Sequence, residues 1–102
     1  MPEYICFVKK NNVKKAEEKL RKDFDIAAKQ SITIRDNISL GIKIQEEGSF
    51  FYIRGTEEGI LRCRELIKEF VFELKNEILN EAKNKILEEE EKATTGFGGI
   101  FG

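Results

Sequence analysis

The side chains that could do acid–base or metal chemistry in this sequence are carboxylates, lysines, tyrosines and two cysteines, because histidine is absent. Histidine is the commonest general base near neutral pH and the commonest transition-metal ligand. The carboxylate pairs Glu46–Glu47 and Glu57–Glu58 fall at a predicted hairpin tip and a predicted helix start, where a structural role is sufficient. Two distant cysteines, Cys6 and Cys63, cannot form a tetrahedral zinc site by themselves. The sequence therefore predicts no catalytic residue, no metal ligand and no cofactor.

Composition places the chain in a broad class but leaves the state of its thiols open. Both cysteines lie among apolar residues, which favours small buried thiols. Lysine, glutamate and isoleucine are prominent, which is a bias of thermophile proteins. An AT-rich genome would give a similar bias in lysine and isoleucine. If the source is a thermophile, the two cysteines could form an intracellular disulfide. No apolar run approaches the ~20 residues that cross a membrane. The N-terminal apolar run precedes its lysines, the reverse of a secretion signal. We expect a cytoplasmic protein without membrane contact.

The 102 residues are expected to form one α+β domain over residues 1–93, followed by a Gly/Phe-rich tail over 94–102. Residues 4–8 read as a strand buried on both faces, and Val13, Ala16, Leu20 and Phe24 share one stripe of a helix. Three strands are predicted. Apolar and polar residues alternate at 31–35 and 38–45, and residues 50–54, FFYIR, form the last strand after the Gly48 turn. Thr56 is a predicted N-cap for a helix over 57–91, which no proline and only an early glycine interrupts.

The predicted order is therefore β-α-β-β-β-α. Its economical packing is a two-layer sandwich, with a mainly antiparallel four-stranded sheet and both helices on one face. A helix over 57–91 is about 50 Å long at 1.5 Å per residue, whereas strands of five to eight residues span about 17–27 Å. The second half of this helix should therefore extend beyond the sheet.

The overhanging part of the helix carries an apolar stripe that needs a partner, because exposed aliphatic surface of that extent is rare. It could pair with the same helix of a second chain, break near Asn76–Asn80 and fold back, or hold a different protein. Self-association is the favoured alternative and predicts a homo-oligomer. The residues assigned to this interface are Leu74, Ile78, Leu79, Ala82 and Ile86.

The C-terminal sequence TTGFGGIFG combines flexible glycines with three bulky apolar side chains, Phe97, Ile100 and Phe101. Glycine-rich termini usually fray. Fraying does not account for the apolar residues, which suit a peptide that docks its side chains in separate pockets. The target could be this chain's own sheet, a neighbouring subunit or a protein partner.

Basic residues are concentrated in the first third of the chain, where residues 1–35 hold nine lysines and arginines against five acidic residues. Such a patch could contact phosphates, so nucleic acid is the alternative partner. A small molecule bound between sheet and helix is a third possibility. The possible phosphate contacts are Lys9, Lys10, Lys14, Lys15, Lys19, Arg21 and Lys22.

The stretch GIKIQEEGSFFYIRGTEEGILRCRELIKEFV, residues 41–71, resembles the last two strands and the final helix of KH RNA-binding domains. The shared pattern is an alternating strand, an acidic glycine turn, a strand ending at Gly55, and an amphipathic helix. The resemblance implies a β-hairpin followed by a helix. KH domains bind nucleic acid through a GxxG loop between two helices, and no such loop is present here, so no functional residue is transferred. The favoured function is a non-catalytic binding or assembly module.

Overall fold

The structure is a computed structural model that describes the backbone of residues 2–101 and the side chains of residues 2–92. Its strands are β1 (Glu3–Lys9), β2 (Ser31–Asp36), β3 (Gly48–Arg54) and β4 (Val71–Phe72). Its helices are α1 (Lys10–Lys22), α2 (Glu57–Ile67) and α3 (Asn76–Phe101), with short 3-10 turns at Ala27–Lys29 and Lys68–Phe70. In the described part of the chain, no helix has the length and apolar character that crossing a bilayer requires.

The four strands form one sheet in the spatial order β2-β3-β1-β4, and every neighbouring pair is antiparallel. β1 and β3 pair along their whole lengths, from Glu3 opposite Arg54 to Lys9 opposite Gly48. Since α1 follows β1 and α2 follows β3, this is the split β-α-β-β-α-β connectivity of ferredoxin-like folds. The predicted α+β class with a four-stranded antiparallel sheet is confirmed.

Helices α1 and α2 cover one face of the sheet. The stripe of α1 buries Ala16 and Leu20 there, as its spacing predicts. The placement of Phe24 in this stripe is wrong, because α1 ends at Lys22 and Phe24 is 75% exposed. The hydroxyl of Thr56 accepts a hydrogen bond of 3.0 Å from the Gly59 N–H, which confirms the predicted N-cap of α2. The remaining members of this core are Cys6, Val8, Ala27, Phe51, Ile53, Ile60, Cys63 and Ile67.

Helix α3 covers the opposite face, so the predicted placement of all helices on one face is wrong. Alternate side chains of β1 and β3, namely Phe7, Phe50 and Tyr52, point to this second face. Ala82 and Ile86 of α3 are completely buried against them. A sheet whose central strands are apolar on both sides requires cover on both sides. The layers are therefore helix, sheet and helix.

The predicted single helix over 57–91 is two helices, α2 and α3, separated by the 3-10 turn Lys68–Phe70, by β4 and by residues 73–75. Phe70 and Val71 pack against the core under α1 and α2, whereas Phe72 packs against the core under α3. Neighbouring side chains are thus needed on opposite faces of the sheet, which a strand provides and a helix does not. Aromatic and β-branched residues also favour strands. The helix breaks without glycine or proline.

The predicted strand over 38–45 is a compact loop instead. Buried Asn37 organises this loop, since its Nδ2 donates a hydrogen bond of 3.1 Å to the Ile42 carbonyl. Gly41 has φ of +73°, a left-handed conformation that interrupts any regular strand. Leu40 and Ile42 are thereby buried in the core under α3. The alternating apolar residues fill a core, but from a coiled loop.

Candidate interaction surfaces

The apolar stripe assigned to self-association is part of the chain's own core. Of its five residues, Ala82 and Ile86 are completely buried, and Leu74, Ile78 and Leu79 are partly buried against the same cluster. Folding back is thus the alternative that the structure adopts, with the break a few residues before Asn76. Ala82 and Ile86 are therefore not exposed to a second copy, whereas self-association through Leu74, Ile78 and Leu79 stays a prediction.

The tail residues that were predicted to dock, Phe97, Ile100 and Phe101, have side chains outside the described residues. Their docking stays a prediction.

The basic side chains of the first third of the chain are partly neutralised by acidic neighbours. Lys9 lies 3.9 Å from Glu46 and Lys10 lies 3.6 Å from Glu47. The remaining pairs in this group are Lys19 with Glu69 and Arg21 with Glu17. Among the described residues, no acidic partner lies within ion-pair distance of Lys14, Lys15 or Lys22. The patch available to phosphates is therefore three lysines on α1.

Both cysteines are free thiols buried under α1 and α2. Burial raises the pKa of the Cys6 thiol to about 12 and that of Cys63 to about 11. The thiolate is the nucleophile and metal ligand, so thiols with raised pKa values are unreactive near neutral pH. In the part of the chain that the structure describes, no group of three or more acidic or cysteine side chains could hold a metal ion.

A cleft of about 480 Å³ lies between the start of α1 and the end of β2. Lysines and carboxylates both line it, including Lys10, Lys14, Asp36 and Glu47. At its border, Ile38 is 68% exposed. The mixed charges do not select one class of ligand, so small-molecule binding stays a prediction.

The outer edge of β2 is an unpaired strand edge. The Asn37 N–H donates to the Gly48 carbonyl at 3.0 Å, which makes this position a hydrogen-bonded pair of the β2–β3 ladder. Hydrogen-bonded pairs alternate along antiparallel strands, so Thr33 and Arg35 also direct their backbone groups to β3. Ile32 and Ile34 therefore direct their N–H and C=O groups away from the sheet.

Few groups satisfy this edge. The Ile34 carbonyl accepts a hydrogen bond of 3.0 Å from the Arg35 side chain, and the Asp36 carbonyl accepts one of 3.2 Å from the Leu40 N–H. Within the described chain, the outward N–H groups of Ile32 and Ile34 and the Ile32 carbonyl have no hydrogen-bond partner. Such an edge is a template for another strand.

Two arginines at the β2 side of the sheet hold the acidic part of α3. Arg54 forms a bidentate ion pair with Glu90, with Nη1–Oε2 and Nη2–Oε1 distances of 3.0 and 2.6 Å. Arg35 Nε donates to Glu89 at 3.1 Å. The hydrogen bonds from Arg54 hold the pKa of Glu90 below its ordinary value. Glu90 thus stays ionised and paired with Arg54 well below neutral pH.

A second contact lies nearer the N-terminus of α3. Lys83 forms an ion pair with Glu3 at the start of β1. The same carboxylate accepts a hydrogen bond of 3.1 Å from the Tyr52 hydroxyl. These bonds, that from Lys83 first, lower the pKa of Glu3. α3 is therefore held by a buried apolar stripe with polar contacts on either side of it.

Comparison of the chain with protein-family models, with curated proteins and with solved structures gave no match. Within residues 41–71, which resemble part of a KH domain, the structure has β3 and α2 but no strand before them. The predicted hairpin of that resemblance is therefore absent.

Sequence reasoning missed both the edge of β2 and the aromatic face under α3. The run Ser31–Arg35 was correctly predicted as a strand, but its edge position depends on strand order, which no local pattern encodes. The alternation of Phe50 and Tyr52 with Phe51 was the available signal for a second apolar face.

Proposed function

We propose that this chain is a non-catalytic assembly module in which two copies pair through the outer edges of β2. The observation that carries the proposal is the row of outward N–H and C=O groups at Ile32 and Ile34. Natural proteins usually shield such edges with lysine, proline or a bulge. β2 is a regular six-residue strand without lysine or proline. Its charged residues, Arg35 and Asp36, lie at its C-terminal end, and Arg35 shields one carbonyl.

The sequence of β2 suits pairing with itself. The segment Ser-Ile-Thr-Ile-Arg, residues 31–35, is nearly palindromic about Thr33. In an antiparallel pair with its two-fold axis at Thr33, Ile32 lies opposite Ile34 of the second copy, and Ser31 lies opposite Arg35. The outward-facing residues then form the hydrogen-bonded pairs and no like charges are opposed. A second copy is therefore the favoured occupant of the edge.

The expected association is modest. Two hydrogen-bonded pairs supply about four backbone hydrogen bonds, each worth about 1 kcal/mol net. The pairing also covers the half-exposed side chains of Ile32 and Ile34. Against this stand the loss of the Arg35 bond to the Ile34 carbonyl and the loss of rotational and translational freedom. We expect a dimer whose population depends on concentration.

The test is solution mass by light scattering over a dilution series, with two matched variants at position 34. Ile34→Pro removes the outward N–H without removing a bond of the β2–β3 ladder, and proline is tolerated at such edge positions. Ile34→Ala removes similar side-chain packing and keeps the N–H. The proposal predicts a dimer for the wild type and Ile34→Ala, and a monomer for folded Ile34→Pro. A monomeric wild type, or equal association of the two variants, would contradict it.

Nucleic-acid binding through α1 is the alternative function, supported by Lys14, Lys15 and Lys22, which have no acidic partner among the described residues. It predicts that Lys14→Gln, Lys15→Gln and Lys22→Gln together weaken oligonucleotide binding and its salt dependence.

Two free thiols are consistent with a reducing compartment, so we propose a cytoplasmic location.

A further inference from the structure

We propose that the sheet face under α3 is a binding surface for single-stranded nucleic acid, and that α3 is an acidic cover which this ligand displaces. The surface is distinct from the β2 edge and from the lysines of α1.

Aromatic side chains form a continuous row on this face. The rings of Phe7 on β1 and Phe50 on β3 have centroids 5.0 Å apart, and the rings of Phe7 and Phe72 on β4 are 6.3 Å apart. Tyr52 follows Phe50 along β3. Single-stranded RNA is commonly bound by stacking bases on aromatic residues of a four-stranded sheet. The central strands of this sheet carry side chains suited to that chemistry.

Cationic side chains lie around the aromatic row. The guanidinium of Arg54 is 4.5 Å from the Tyr52 ring centroid, and Lys9 Nζ is 4.8 Å from the Phe72 ring centroid. Arg35 lies at the end of β2 on the same side of the sheet. Bases stacked on the rings would bring their phosphates within reach of these cations. The Arg54 Nε is buried and, within the described chain, has no hydrogen-bond partner.

Helix α3 covers the aromatic rings of this surface with apolar side chains and pairs the arginines of the surface with carboxylates. Its buried Ala82 and Ile86 cover the aromatic rings. Its Glu90 binds Arg54 through two oxygens, the geometry in which arginine also binds phosphate. Together with Glu89 on Arg35, the cover places carboxylates where a nucleic-acid backbone would place phosphates. The occupant is therefore an anionic polymer with flat apolar groups.

The connection of α3 permits it to leave as a unit. Only residues 73–75 join it to β4, and the core under α3 shares no residue with the core under α1 and α2. Displacement of α3 would leave the core under α1 and α2 intact. The apparent dissociation constant is then the intrinsic one divided by the fraction of open molecules. Weakening the anchors of α3 should increase affinity.

The test is fluorescence anisotropy with a labelled single-stranded RNA of about ten nucleotides, a length within the usual site size. Glu89→Gln with Glu90→Gln breaks both arginine pairs. Glu88→Gln with Glu91→Gln changes the net charge equally, and both residues are exposed and form no ion pair within the described chain. We expect about tenfold tighter binding for the first variant and less than about twofold for the second.

Hydrogen exchange on the wild-type complex separates this surface from the lysines of α1. Bound RNA should speed amide exchange in α3 and leave α1 and α2 protected, because only α3 is displaced. The proposal is overturned by any of three results. These are no RNA binding by the Glu89/Glu90 variant, equal gains for the two charge-matched variants, or a complex in which α3 remains as protected as in the free protein.

Discussion

Replacing Ile86 by alanine tests whether α3 belongs to the chain's own core. Ile86 is completely buried against the sheet, whereas its neighbour Leu87 is 36% exposed. A buried isoleucine replaced by alanine costs about 2–5 kcal/mol, through lost transfer energy and the cavity left behind. We expect about 3 kcal/mol for Ile86→Ala and about 1 kcal/mol or less for Leu87→Ala. In a domain of this size the first loss lowers Tm by more than about 10 °C.

The assay is urea unfolding of the wild type and both variants at two protein concentrations that differ about a hundredfold. The free energies of unfolding are compared with a common m-value, the slope of free energy against urea concentration. Because Ile86 is buried within the chain, the difference between the variants should not change on dilution. The reasoning is refuted if Ile86→Ala costs no more than Leu87→Ala. It is also refuted if the extra cost disappears at low concentration, since Ile86 would then contribute through an interface between chains.

Two further predictions concern α2 and the buried thiols. Thr56→Ala removes the acceptor for the Gly59 N–H and should cost about 1 kcal/mol in thermal unfolding, while Thr56→Ser should restore most of it. Burial raises the thiol pKa values of Cys6 from 9.0 to about 12 and of Cys63 to about 11. The unfolded chain releases these protons at lower pH, so the free energy of unfolding should fall as pH rises through about 9 to 12. Replacing both cysteines by alanine should flatten this part of the pH profile, and an unchanged slope would contradict the assignment.

Local sequence patterns correctly predicted the elements whose side chains keep one spacing, either that of a strand or that of a helix, along their whole length. The apolar run at residues 4–8 indicated a strand buried on both faces, and β1 is indeed central in the sheet. The stripe containing Ala16 and Leu20 predicted α1, and Thr56 predicted the start of α2. In each case the side-chain period and the cap agree with the fold, so local and global preferences coincide.

The errors occurred where tertiary contacts override the local period. Residues 38–45 alternate like a strand, but Asn37 and Gly41 turn the chain so that the apolar residues reach the core under α3. At residues 70–72, helical spacing continues in the sequence while β1 offers a place for a strand. The loop at residues 38–45 packs under α3, and β4 pairs with β1. Both partners are distant in sequence, so local patterns could not predict either structure.

The candidate surfaces were harder to predict than the elements for the same reason. Whether residues 31–35 form an edge or a central strand depends on the order of all four strands. The sequence did not indicate Arg35 and Arg54 as partners of the acidic run at 88–91, because they reach it only after α3 crosses the sheet. Nonlocal topology creates both surfaces.

The most direct measurement for the proposed assembly is oxidative cross-linking of Thr33→Cys, with Ser31→Cys as its control. In the proposed pair Thr33 faces itself at a non-hydrogen-bonded position, where Cα atoms are about 4.5 Å apart and a disulfide can form. The two copies of position 31 would be separated by about 14 Å along the strands, too far for a disulfide. The native thiols are buried and should not compete in this oxidation.

Pairing through β2 predicts a disulfide-linked dimer for Thr33→Cys and a monomer for Ser31→Cys under the same mild oxidation. Cross-linking of both variants to the same extent, or of neither at concentrations at which the wild type is dimeric, would contradict pairing through β2.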